Sequence, residues 1–138
     1  MAGTPDAARP AVERFGSGGP WEERVGYSRT VRAGELVLVS GCTAMGPDDV
    51  VLGLGDAEAQ ARAAIEACLR ALEPAGASAA DVVRTRMYVT DISRWEAVGR
   101  AHAAAFGTVR PVATMVEVSA LIDPRLLVEI EVEAYLPR

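Results

Sequence analysis

Val82-Val83-Arg84-Thr85-Arg86-Met87-Tyr88-Val89-Thr90 alternates side chains of two kinds and is rich in β-branched and aromatic residues. Successive side chains of a strand point to opposite faces, so residues 82–90 read as a β-strand. Val83, Thr85, Met87 and Val89 fall on one face, and Arg84, Arg86 and Tyr88 on the other. A strand with one apolar and one charged face belongs to a sheet covered on one side. The flanking sequence supplies the cover.

Downstream, Ser93 and Glu96 form a Ser-x-x-Glu capping box that opens a helix. Trp95, Val98, His102 and Phe106 line its apolar side, and Gly107 ends it. Two strands follow. In 111–118, Val112, Thr114, Val116 and Val118 share one face, with Ala113, Met115 and Glu117 on the other. In 126–136, Leu126, Val128, Ile130, Val132 and Ala134 face the core, while Glu129, Glu131 and Glu133 point away. Upstream, Asp56 is the N-cap of a helix over 57–73, which Pro74 and Gly76 end. Its apolar stripe is Ala61, Ile65, Cys68 and Leu72, and Glu58, Arg62, Glu66 and Arg70 form a charge ladder on the exposed side. Residues 27–31 and 35–41 form a hairpin across Arg32-Ala33-Gly34. Residues 36–39 are apolar on both faces, which predicts a central strand covered on both sides. The order β-β-α-β-α-β-β predicts an α+β domain, with two helices on one face of a mixed sheet.

The chain has 138 residues, 50% of them hydrophobic and 24% charged, as expected of one globular domain. Residues 1–20, ending in Gly16-Ser17-Gly18-Gly19-Pro20, read as a flexible N-terminal segment, and 21–138 as a single domain. The apolar runs are too short to cross a bilayer, so no membrane association is expected. A net charge of −5 with no basic stripe argues against a nucleic-acid partner. All 14 basic residues are Arg, which excludes Schiff-base and P-loop lysine chemistry. One His (His102) and two Cys (Cys42, Cys68), with no Cys-x-x-Cys, predict no metal site of the usual Cys/His kind. Free thiols and the lack of a signal-like apolar run near the start predict a cytoplasmic location.

The uncovered face of the sheet is where chemistry is expected. It collects Arg84, Arg86, Tyr88, Met115, Glu117, Glu129, Glu131 and Glu133. Two readings stand: cross-strand ion pairs on a wet face, or a subunit interface with a ligand pocket in which a Glu serves as acid or base. His102 on an apolar helix side reads as a core residue with a satisfied hydrogen bond, or as a general base. Cys42 follows Ser40-Gly41 at a strand end, with no motif partner to activate it. Trp21, beside Glu22 and Glu23, either covers a pocket or staples the N-terminus.

The segments Val37-Leu38-Val39-Ser40-Gly41, Val82 to Asp91, Val116-Glu117-Val118 and Val128-Glu129-Ile130-Glu131, in this order and spacing, resemble the Rid family of reactive-intermediate deaminases, also called YjgF proteins. The resemblance covers about residues 24–136. It implies a chorismate-mutase-like fold, a homotrimer, and small-molecule ligand sites in the clefts between subunits. It also implies hydrolysis of imines or enamines such as 2-aminoacrylate, without metal or organic cofactor. Tyr27 matches the family's tyrosine on the first strand, Ser40 and Gly41 match its Ser-Gly at the pocket, and Glu129 matches the glutamate that positions the attacking water. The family's carboxylate-binding arginine falls on Ala113, and a nearby cysteine of the family falls on Met115. Losing a charge-assisted bidentate clamp costs about 2–5 kcal/mol of binding in a dry site. The resemblance therefore implies a divergent member that acts on a reactive imine or enamine without an α-carboxylate, in a specialised biosynthetic route. Glu129 would act on water, Tyr27 and Ser40 would place the ligand, and Ala113, Met115 and Trp21 would make the pocket more apolar than usual. Arg86 and Arg110 are the candidate substitutes for the missing arginine. The alternative is a non-catalytic trimer that binds a small molecule or a partner protein.

Overall fold

The structure is a computed structural model that describes residues 11–137. Its regular elements are β1 (Val12–Phe15), α1 (Pro20–Val25), β2 (Thr30–Ala33), β3 (Leu36–Cys42), α2 (Ala57–Leu72), β4 (Val82–Val89), α3 (Trp95–Phe106), β5 (Val112–Glu117) and β6 (Val128–Tyr135). The six strands form one sheet in the order β1-β2-β3-β6-β4-β5. Neighbours run antiparallel except β4 and β5, which are parallel. The expected mixed sheet with helices on one face is therefore present, joined by a third, short helix (α1). Among the described residues, no helix is long and apolar enough to cross a membrane.

The core lies between the sheet and α2 with α3. Val128, Ile130, Val132 and Ala134 of β6 are fully buried there against Ile65, Cys68 and Leu72 of α2. The alternation of β6 thus holds along its length. Asp56 caps α2 as expected, its Oδ1 accepting the Ala59 N–H at 3.0 Å. Of the charge ladder, Glu58 and Arg62 close at 3.6 Å, and Glu58 also takes Arg100 of α3 at 3.3 Å.

Several expectations are corrected. The segment 1–20 is not all lead-in: Val12–Phe15 is a strand that pairs with β2, and Phe15 packs on the core. Residues 1–10 lie outside the described residues. The hairpin turns at Gly34-Glu35 rather than at 32–34, with Ala33 opposite Leu36 and Gly34 at a φ of 64°. Tyr27 consequently lies before the first hairpin strand. β3 is central, yet only one of its faces is covered: Val37 and Val39 are buried, whereas Leu36 and Leu38 are about half exposed. An irregularity between Val82 and Arg84 turns Val82 into the core in place of the exposed Val83. The cap before α3 is Asp91, whose Oδ1 accepts from the N–H of Ser93 at 3.0 Å, so the Ser93–Glu96 box does not form the helix start. Trp95 is exposed, and Ala101 joins Val98 and Phe106 on the buried side.

The faces of β5 are also reversed. Thr85 pairs with Ala113 and Met87 with Met115. Paired residues share a face, so Ala113, Met115 and Glu117 lie on the helix side. Val112, Thr114 and Val116 join Arg84, Arg86 and Tyr88 on the open side. As a parallel edge strand with apolar residues on both faces, β5 carries no alternation from which to tell them apart.

Candidate active site

The cleft begins with a break in β3. Its pairing with β6 slips between Val39 and Cys42, so Ser40 and Gly41 bulge out of the ladder. Their carbonyls need other donors, and Arg29 supplies them: Nη1 donates to Ser40 O at 3.1 Å and to Gly41 O at 2.7 Å. The same nitrogen lies 3.4 Å from Cys42 Sγ. Ser40 returns the contact, its N–H and Oγ both donating to the Arg29 carbonyl at 3.0 and 3.2 Å.

Gly41 is required by what faces it. A Cβ there would lie 2.7 Å from Cδ of Glu129, so only a glycine lets the carboxyl lie flat against the bulge. Glu129 is half-buried, and burial pushes its carboxyl above the ordinary 4.5. The charge of Glu131 adds to that rise, and Arg29 opposes it. A carboxyl so placed holds a proton more readily than a solvated one and can both accept and return one.

Around Gly41 and Glu129 opens a cleft of about 860 Å³. Tyr27, Arg29, Cys42 and Thr43 line it, and so do the charged Asp48, Asp49 and Arg70. Tyr27 lies under Arg29, whose guanidinium carbon is 5.8 Å from the ring centre. The Cys42 thiol is held below its ordinary value by the Cys68 thiol, against the cost of burial and with help from Arg29. The hydrogen bond with Cys42, and then burial, push Cys68 well up. The segment from Phe15 through Trp21 is also part of the cleft wall, as are Val25, Met45 and Ile122.

The expected site residues thus divide. Glu129, Tyr27, Gly41 and Trp21 meet in the cleft. Ser40 and Arg86 line a shallower hollow on the open face, with Leu38, Glu131 and Glu133. There Arg86 Nη1 donates to Glu133 at 2.9 Å and to Glu131 at 3.4 Å, and the Tyr88 hydroxyl donates to Glu131 at 2.8 Å. Arg86 is therefore engaged with carboxylates on its own sheet and does not enter the cleft of its own chain. Ala113 and Met115 lie on β5 at the opposite edge of the sheet. Arg110 is exposed at a φ of 56°, its N–H held by Phe106 O at 2.8 Å. His102 shares a 2.8 Å hydrogen bond with the buried Thr85 hydroxyl, packs against Phe106 and is held by burial below its ordinary value. That is the satisfied core histidine of the two readings.

Two groups escaped the sequence reading. Arg29 carries no periodic signal, because its role depends on a bulge that forms between distant strands. Gln60 is fully buried: its Nε2 donates to Gly53 O and Arg125 O at 3.3 and 3.0 Å, and its Oε1 accepts the Leu127 N–H at 2.8 Å. It pins the start of β6, two residues before Glu129.

Comparison with known proteins identifies relatives of the whole domain. The family model described as Endoribonuclease L-PSP matches residues 21–136. A crystal structure of Rv2704 from Mycobacterium tuberculosis, a member of the YjgF/YER057c/UK114 family, superposes with a TM-score of 0.82 at 54% identity, covering 91% of this chain and all (100%) of that one. The uncharacterized protein SCO2049 of Streptomyces coelicolor is 43% identical over 91% of this chain and 92% of its own. The 3-aminoacrylate deaminase RutC of Acinetobacter baylyi is 31% identical over 80% of this chain and 86% of its own.

Proposed function

The chain belongs to the Rid (YjgF) family, and on that footing we propose that it is a cofactor-free hydrolase of a small imine or enamine whose reacting carbon bears no α-carboxylate. The observation that carries the proposal is Glu129: a half-buried carboxyl with a raised proton affinity, facing a cleft across a glycine that leaves it room. In the reaction, water adds to the C=N carbon as a C–O bond forms and the nitrogen takes a proton. The C–N bond then breaks, releasing ammonia and a carbonyl product. Glu129 accepts the water proton and returns it toward nitrogen. Tyr27 places the ligand, and Ser40 acts from the face beyond the bulge. The position where the family carries its carboxylate clamp is Ala113, which supports a substrate without that carboxylate.

The assembly belongs to the same proposal. The open face presents Leu36, Leu38, Val112 and Val116 around the Arg84–Arg86–Glu131–Glu133 cluster, more apolar surface than a solvated sheet needs. A homotrimer would cover it and bring β5 of one copy toward the cleft of the next. Sedimentation at micromolar protein should give three times the chain mass.

The activity test is an imine panel generated in situ by an amino-acid oxidase, with semicarbazide as competing trap, alongside imines without a carboxylate. Turnover confined to the uncarboxylated substrates and lost in Glu129→Gln supports the reading. Turnover unaffected by that substitution overturns the role of Glu129, and silence across the whole panel favours the binding trimer. Ala113→Arg should gain 2-aminoacrylate hydrolysis.

A further inference from the structure

The glycine-rich segment before α1 is built around one carboxylate. Glu22 accepts the Ser17 N–H at 2.9 Å and a short hydrogen bond from the Ser17 hydroxyl. Burial pushes the Glu22 carboxyl up, but these two bonds and the charge of Arg29 outweigh it and hold it below its ordinary value. Arg29 Nε lies 4.0 Å from that carboxylate. A Cβ at Gly16 or Gly19 would approach the same oxygens to 3.2 and 3.1 Å, and Gly18 turns the chain at a φ of 78°. Upstream, Phe15 is fixed opposite Thr30 and against the core. Residues 15–21 are thus a strap tied at both ends, and its inner side is a wall of the cleft. Residues 15–20 lie before the stretch that the family model matches.

The strap changes what the cleft can hold. A two- or three-carbon imine would fill a small part of about 860 Å³, a volume ordinary for ligands of drug size. Glu129 and Arg29 line the cleft with Asp48, Asp49 and Arg70, and Phe15, Pro20, Trp21, Val25, Met45 and Ile122 supply its large apolar side chains. We propose that the Glu22-tied strap makes the cleft a site for ligands with an apolar, preferably aromatic, body: the reacting C=N lies at Glu129 and the body lies between Trp21 and Ile122. This rests on the hydrolase reading above and names the substrate class for it.

Product ketones test the proposal without any turnover, since hydrolysis of such an imine leaves a ketone of the same shape. Binding of 4-phenylbutan-2-one and of butan-2-one is measured by titration calorimetry on the full chain. A parallel tryptophan-fluorescence titration in a Trp95→Phe background leaves Trp21 as the reporter. The aromatic ketone should bind at least about tenfold tighter than butan-2-one and change the Trp21 emission. Glu22→Ala and Trp21→Ala should each bring the ratio to within about threefold. Trp21 is 43% exposed, so its substitution tests the wall even if Glu22→Ala loosens the fold. Equal binding of the two ketones, or a preference that survives both substitutions, overturns the proposal. The preference should persist in Glu129→Gln. Its persistence there alongside silence in the imine panel would fault the hydrolase reading and leave the strap assignment standing.

Discussion

Glu129 and Glu133 share a strand and a face four residues apart, yet their surroundings differ in kind. Glu133 accepts from Arg86 at 2.9 Å and lies 3.7 Å from Arg84, so its charge is spent within the sheet. Glu129 has a glycine on its neighbouring strand and a cleft in front of it. Arg29, a cation near it, is occupied by the carbonyls of the bulge. One strand therefore carries one carboxylate paired within the sheet and one that faces a cleft. The difference comes from the partner strand: β4 offers arginines toward Glu133, and β3 offers a break toward Glu129.

The contrast is broken most sharply at the carboxyls themselves. In the imine assay, Glu129→Gln should cost about 100-fold or more in kcat/KM, whereas Glu133→Gln should leave the rate within about threefold. Equal losses would mean that both act through assembly. Next in size, Gly41→Ala should push the Glu129 carboxyl from its place, because the new Cβ has 2.7 Å to Cδ. It should lower kcat by about tenfold with a smaller change in KM, the pattern of a misplaced catalytic group.

A subtler test uses stability. The folded protein binds a proton at Glu129 more tightly than the unfolded chain does, so this group's contribution is fully present below the unfolded value near 4.5 and is lost as pH rises through the raised folded value. Urea unfolding of wild type and Glu129→Gln should diverge in that direction: relative to wild type, the variant gains stability between pH 4 and pH 7. No divergence would mean that the carboxyl is better solvated than its burial indicates. Smallest is the effect on Tyr88, whose hydroxyl donates to Glu131 and is raised by that bond. Glu131→Gln should move one tyrosine ionisation to lower pH in a spectrophotometric titration.

The same contrast explains what could be read from residues alone. The regularity of β6 was legible because one of its faces is fully buried, so alternation maps onto burial without exception. α2 was legible from Asp56 and its stripe. The faces of β5 are not, because its Val, Ala, Thr and Met mark no polar side and its one charged residue, Glu117, ends the strand on the helix side. The strap reads as a linker since Gly and Ser there answer to Glu22, a tertiary partner that composition does not reveal. Glu129, Gly41, Tyr27 and Trp21, which the sequence singles out, line one cleft, and Arg29, which it does not, lines it with them. The ligands of Arg29 are backbone carbonyls freed by a bulge, and no side-chain pattern announces a bulge.

Gln60 bears on how this chain can vary. Its carboxamide grips the backbone at Gly53, Arg125 and Leu127, joining two loops to α2. Residues gained or lost before Arg125 are taken up ahead of the grip, and the phase of β6 does not change. A residue gained between Leu127 and Glu129 would turn every side chain of that strand to the opposite face. The loop before β6 is thus free to drift in length across generations, and the carboxyl two residues beyond the grip keeps its heading.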